Sequence, residues 1–205
     1  MTTPNKYQAA TDFLSSLDSD WAALITTVGP CSFESRPERE PYEALTRAVA
    51  YQQLHGKAGD AIIRRFKEIY GGRPPTPTEL LKTDFDTLRA CGFSGRKIET
   101  IQGIAQGALS GLVPRRAEAD VMPDEELINR LVALKGIGRW TVEMMLIFTM
   151  ERHDILPIDD FGVLEGYKRL KKLETAPKRK ELGQIGLAWS PHRTIASWYL
   201  WRVPK

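Results

Sequence analysis

The stretch LVALKGIGRWTVEMMLIF, Leu131 to Phe148, decides how this chain is read. A helical apolar pattern enters it, two glycines around one isoleucine interrupt it, and a strongly apolar helix leaves it. Gly136 and Gly138 can take φ > 0 and carry no Cβ, so two helices can turn back sharply there. The same bareness lets a bulky group approach the main chain. N–H groups in the first turn of the second helix have no intrahelical acceptor, and such a turn suits a phosphate. A bare GxG reads as a plain αα-turn. Leu131, Leu134, Ile137 and Thr141 at supporting positions make this one more specific, and Lys135 and Arg139 add charge beside it. Further along, Asp159 and Asp160 stand side by side, which raises the question of whether turn and acids serve one site.

Outward from the hairpin, helical spacing recurs and strand alternation is scarce. AATDFLSSL and YEALTRAVAYQQL are amphipathic, and KAGDAIIRRFKEIYGG sets Ala, Ile and Phe on one face before two glycines suited to a left-handed C-cap. RPPTPT is a proline-punctuated loop, with Thr78 as the expected cap of ELLKT. Asp84 caps DFDTLRACG, and Ser94 or Gly95 starts RKIETIQGIAQGALSG, whose Ile98, Ile101, Ile104 and Ala105 form a stripe. MPDEELINRLVALKG opens with acids where the helix dipole favours them. FGVLEGYKRLKKL and RTIASWYLWRV complete an all-α chain of about nine or ten helices, with no internal repeat.

Charged residues at 27% and hydrophobic residues at 42% describe an ordinary globular composition rather than a disordered one. No apolar run approaches the roughly 20 residues that span a bilayer, and MTTPNKYQAA lacks the regions of a signal peptide. A cytosolic protein is expected. The cysteines Cys31 and Cys91 are isolated, and His55, His153 and His192 form no HExxH pair. Neither a tetrahedral zinc site nor a four-cysteine iron–sulfur cluster can be assembled from them. A net charge of +3 tolerates a polyanionic partner without demonstrating one. The dense Lys/Arg run YKRLKKLETAPKRK, residues 167–180, reads either as a solvated face or as a phosphate contact.

LVALKGIGRWTVEMMLIF closely resembles the helix-hairpin-helix of the DNA base-excision glycosylases, and ILPIDDFGVLEGYKRL looks like the segment that follows it there. VAYQQLHGKAGDAIIRRF, CGFSGRKIETI and WSPHRTIASWYLWR resemble segments of the alkylation-repair branch, the 3-methyladenine DNA glycosylase II family. The likeness covers about residues 40–205 in the same order. It implies a two-lobed all-α fold with the active-site cleft between the lobes. Residues 1–205 would then form a single glycosylase domain with its hairpin motif at 131–148. Some members begin with an antiparallel sheet domain, for which the preceding residues are too few.

The resemblance also implies roles. The family's catalytic aspartate aligns best with Asp160, which opens the Asp-Phe-Gly run, and Asp159 is the alternative. Asp160 can cap the next helix at the same time. An alkylated purine carries positive charge and leaves without an obligatory general acid, so one carboxylate suffices. It would stabilise the oxocarbenium character of the sugar or position the attacking water. Family members that also cut the backbone have a lysine where this chain has Trp140. Tryptophan forms no Schiff base, so a monofunctional hydrolase is implied. The flipped base would meet Trp140 and Trp201, with Tyr51 and Phe161 beside them; relatives often have an aromatic where this chain has Met144. Leu54, with His55 next to it, matches the residue that wedges into the duplex. Lys97, Lys135, Gly136, Gly138 and Arg139 are the expected DNA contacts, together with Arg96. Arg193 is either a similar contact or an ion-pair partner.

No organic cofactor is implied. A monovalent cation would sit on the carbonyls of Val132, Leu134 and Ile137. The implied partner is double-stranded DNA containing alkylated bases, met by a monomer with no membrane association, in the cytoplasm or in a eukaryotic nucleus. Two rivals stand beside this reading. A non-catalytic hairpin DNA-binding protein is opposed by Asp160 with the pocket tryptophans, and a glycosylase for oxidised or mismatched bases is opposed by Trp140 and the missing cluster cysteines.

Overall fold

Short polar side chains set many of the helix starts. The computed structural model describes residues 5–54 and 56–204; all helix assignments below concern those residues. In chain order come α1 (Gln8–Ser15), α2 (Ser19–Val28), α3 (Pro41–Tyr51), α4 (Gly56–Glu68), α5 (Pro77–Lys82), α6 (Phe85–Ala90) and α7 (Gly95–Ser110). They are followed by α8 (Arg116–Val121), α9 (Asp124–Leu131), α10 (Arg139–Phe148), α11 (Phe161–Leu170), α12 (Arg179–Ile185) and α13 (Arg193–Leu200), with a 3-10 turn at Gly186–Trp189. Ten of these thirteen α-helices have seven or more residues, and α5, α6 and α8 have six.

The Asp84 and Ser94 side chains accept N–H bonds at the starts of α6 and α7, as expected. At α5 the cap is Thr76 rather than Thr78. Pro77 takes the first helical position, and Thr76 forms a reciprocal capping box with Glu79. Gly71 and Gly72 take φ of 69° and 86° just beyond α4. The α2, α8 and α12 helices were not foreseen; Asp18 accepts from both Asp20 N–H and Trp21 N–H to start α2. The YEALTRAVAYQQL helix ends at Tyr51, short of the expected run: Gln52 is its C-cap, and Gln53 adopts a left-handed φ of 57°.

Two compact units result. The first joins the described residues up to Ser35 with those from Glu151 onward; the second is Arg36–Met150. In the second, α7 is the central element and packs on α3, α5 and α6, while α10 packs on α3 and α9. Its expected stripe is fully inside: Ile98, Ile101, Ile104 and Ala105 are all buried. Each such isoleucine is worth about 1.5–3 kcal/mol relative to exposure. In the first unit, α13 is almost wholly buried and packs on α1, α2 and α11. Trp21 meets Trp189 edge-on with ring centroids 5.4 Å apart, and Thr11 Oγ1 lies 3.2 Å from Tyr199 Oη. No helix among the described residues is long and apolar enough to cross a membrane.

Candidate active site and nucleic-acid interface

The hairpin lies within the Arg36–Met150 unit. Leu131, Leu134, Ile137 and Thr141 are buried and anchor it, as their spacing suggested. Its turn is closed by Leu134 N–H to Leu131 O and by Ile137 N–H to Leu134 O, both 3.1 Å. The two glycines differ. Gly136 has φ 86°, and a Cβ there would lie 2.3 Å from Thr100 Oγ1 on α7, so both backbone and packing require glycine. Gly138 is the N-cap of α10 with ordinary extended backbone, φ −95° and ψ 166°. A Cβ at Gly138 would meet nothing within 4 Å. The start of α10 therefore has no capping side chain and no packed neighbour over its cap residue, the condition under which an anion can reach main-chain N–H groups.

Charges flank that start. Lys135 Nζ lies 3.1 Å from Glu99 Oε2, with the lysine side chain 89% exposed. Such a surface pair is worth about 0–1 kcal/mol and is readily exchanged for another anion. Arg139 is held more firmly: its guanidinium is forked onto the Glu125 carboxylate and also donates to Glu143 Oε1 at 2.9 Å. The bonds from Glu125, then from Glu143, hold the Arg139 pKa above its usual range against the effect of burial. Trp140, in the first turn of α10, is 40% exposed, and Met144 one turn later is half-buried. Val132, Leu134 and Ile137 all lie in the turn region. The Leu134 carbonyl keeps a second lone pair beyond its bond to Ile137 N–H. Among the described residues no cluster of His, Cys, Asp and Glu could hold a metal.

The α3–α4 turn is tied to the same hairpin. Gln52 Nε2 donates to Gly136 O at 3.3 Å. Leu54 is 41% exposed in this turn rather than part of the buried stripe of α3. His55 lies outside the described residues. Lys97, expected at a phosphate, has its ammonium on the carbonyls of Ala50 at 3.1 Å and Gln52 at 2.8 Å. Tyr51 is half-buried, with Arg47 stacked 4.6 Å from its ring centroid, and its hydroxyl bonds to Asp60 and Arg47. Burial, then Asp60, raises its pKa.

The acidic pair lies in the other unit, where its two members have different partners. Asp159 Oδ1 is 2.8 Å from Arg179 Nε. Asp160 is the N-cap of α11, its Oδ1 accepting from Val163 N–H at 2.8 Å and from Trp201 Nε1–H at 2.9 Å. A Cβ at Gly162 would lie 2.8 Å from Trp201 Cδ1 and 3.0 Å from Asp160 Oδ1, so glycine makes room for the indole. Nearby, α11 crosses α13 so closely that a Cβ at Gly166 would sit 2.1 Å from the Leu200 carbonyl oxygen. Phe161, first in α11, is 76% exposed. Arg193 is an ion-pair partner, with Nε 2.8 Å and Nη2 3.0 Å from the two Asp154 oxygens. The basic run is partly spent internally: Lys171 bonds Asp18 and Asp20, and Arg169 pairs with Glu165. Sequence reasoning missed the roles of Gln52 and Gly162. A glycine in the first turn of an expected helix was the only visible signal for the second.

A family model described as "HhH-GPD superfamily base excision DNA repair protein" matches residues 46–191. DNA-3-methyladenine glycosylase 1 of Schizosaccharomyces pombe is 47% identical over 194 residues, covering 94% of this chain and 85% of that protein. Alkylbase DNA glycosidase-like protein mag2 of the same organism is 39% identical over 207 residues, covering 100% of this chain and 97% of the other. The solved structure of the S. pombe 3-methyladenine DNA glycosylase Mag1 in complex with abasic DNA matches with a TM-score of 0.89, covering 95% of this chain and 96% of that one. Helical architecture, hairpin and matched residues agree, and the chain belongs to the HhH-GPD superfamily of base excision DNA repair proteins.

Proposed function

We propose that this protein is a monofunctional DNA glycosylase that flips alkylated bases of the 3-methyladenine and 7-methylguanine class out of duplex DNA and hydrolyses the N-glycosidic bond. The product is an abasic site for base excision repair. One observation carries the assignment of the acid. The Asp160 carboxylate is oriented by a backbone N–H and an indole N–H, whereas Asp159 is paired with Arg179. A carboxylate fixed in this way can face the positive charge that develops on the sugar without reorganising as the bond breaks. It can also orient the attacking water.

The remaining roles follow from chemistry. The bare start of α10 takes a backbone phosphate, aided by Lys135. Trp140 cannot supply the amine that a lyase step requires. The rings of Trp140, Trp201 and Phe161 are each able to stack on a cationic purine. Leu54 fills the gap left by the flipped nucleotide. Carbonyls of Val132, Leu134 and Ile137 would hold a monovalent cation, which would add positive charge beside the phosphate. The protein acts as a monomer, in the compartment that holds the genome. Base release from methylated duplex DNA by wild type, Asp160→Asn and Asp159→Asn tests this. Loss confined to Asp160→Asn, with DNA binding kept, is the expected result. Loss confined to Asp159→Asn would move the acid by one residue. Binding without release by wild type would leave a hairpin DNA-binding protein.

A further inference from the structure

The last turn of α3 carries no basic residue of its own, although a helix C-terminus presents unpaired carbonyls and partial negative charge. The cation arrives from elsewhere in the chain. Lys97, in the first turn of α7, which packs on α3, puts Nζ on the Ala50 and Gln52 carbonyls. Immediately afterwards the backbone enters the left-handed region at Gln53, with φ 57°, which is costly for a residue with a Cβ unless its surroundings hold it there. Gln53 and Leu54 are exposed at the tip, and the Gln52 amide reaches the Gly136 carbonyl of the hairpin. Burial lowers the Lys97 pKa, consistent with a cation lodged against the main chain rather than held in solvent.

We propose that Lys97 is a positioning residue: its ammonium bridges the Ala50 and Gln52 carbonyls and so holds the Gln52–Leu54 turn in register with the glycine hairpin, instead of contacting a phosphate. The inference rests on the glycosylase reading for its effect on catalysis, but not for its effect on the turn. Both glutamines matter through it, Gln52 as the tie to the hairpin and Gln53 as the strained residue that aims the tip.

The test compares wild type, Lys97→Met and Lys97→Arg by three readouts. Hydrogen exchange is followed at the Gln52 and Leu54 amides, which donate to Ala48 O and Tyr51 O. The salt dependence of binding to a duplex carrying a stable abasic-site analogue is measured, together with single-turnover base release at saturating enzyme. Lys97→Met should speed exchange at those two amides by about tenfold or more, with the amides of α10 unchanged. It should slow release at saturation by about tenfold while the salt slope stays that of wild type. Lys97→Arg, which keeps the charge in a different donor geometry, should restore part of both effects. The opposite result is equally legible. Unchanged turn amides, with a salt slope lowered by about 0.9, would make Lys97 a phosphate contact and overturn the proposal. Should Lys97→Met fail to fold, Lys97→Gln, which removes the charge but keeps a polar head, is read in its place, and unchanged turn exchange there would also overturn the proposal. A wild type that releases no base would sink the glycosylase reading, yet the exchange data would still decide the role of Lys97.

Discussion

Helices α10 and α11 begin in opposite ways. The cap of α10 is Gly138, which has no side chain and open space where a Cβ would be. The cap of α11 is Asp160, whose carboxylate bonds the first turn and is met by the Trp201 indole. Both starts carry the same partial positive charge from the helix dipole. One leaves it without a capping side chain; the other fills it with a carboxylate of its own and fixes that carboxylate in place. On the proposed function, the same backbone device would serve binding at one helix and chemistry at the other.

The contrast is broken most severely at the filled start. Asp160→Asn keeps a competent N-cap but removes the negative charge, and should lower single-turnover base release by about 10²–10³-fold with affinity for abasic DNA nearly unchanged. If thermal unfolding moved as much as activity did, Asp160 would be a structural cap and no more. Gly136→Ala should come next, costing about 1–3 kcal/mol of stability in denaturant titration because Thr100 and a left-handed φ both oppose it. Gly138→Ala should cost no more than about 1 kcal/mol in the same titration, a loss of cap preference alone, and show itself in weaker DNA binding. Equal stability losses at the two glycines would erase the distinction drawn between them.

Trp201→Phe keeps an aromatic ring and removes the N–H that orients the acid. Release should fall by about tenfold at saturation, the loss of one hydrogen bond to a charged group, with the binding constant for abasic DNA held. A change in binding alone would make the indole a stacking surface only. The smallest effect belongs to Lys135→Gln. It should leave stability within about 0.5 kcal/mol and lower the salt slope of DNA binding by about 0.9.

Local sequence carried the helical class and the hairpin, because glycines, caps and apolar spacing act over a few residues. Ile98, Ile101 and Ile104 face inward as their spacing says. The end of α3 was not legible. Tyr-Gln-Gln-Leu contains no helix breaker, and the cation on its last carbonyls comes from Lys97, 45 residues beyond Gln52. Asp160 was preferred to Asp159 on resemblance alone, since adjacency cannot distinguish them; their partners are long-range and differ, Arg179 for Asp159 and Trp201 for Asp160. Helices α8 and α12 escaped because six or seven residues hold little periodicity and, unlike the equally short α5 and α6, neither opens on a Thr or Asp cap. Gly162 and Gly166 resemble any helical glycine until α13 is placed against them.

That last contact has a consequence for how such a protein can change. The crossing of α11 over α13 rests on backbone at Gly166 and Leu200, one helix carrying Asp160 at its start and the other ending beside Trp201. Spacing set by main chain does not shift when a neighbouring side chain is exchanged. On the proposed function, Phe161 and Met144 would each be places to vary for a larger or differently shaped base, while Asp160 keeps its place at the start of α11. An engineer seeking new lesion preference would start at those positions and leave the two glycines alone.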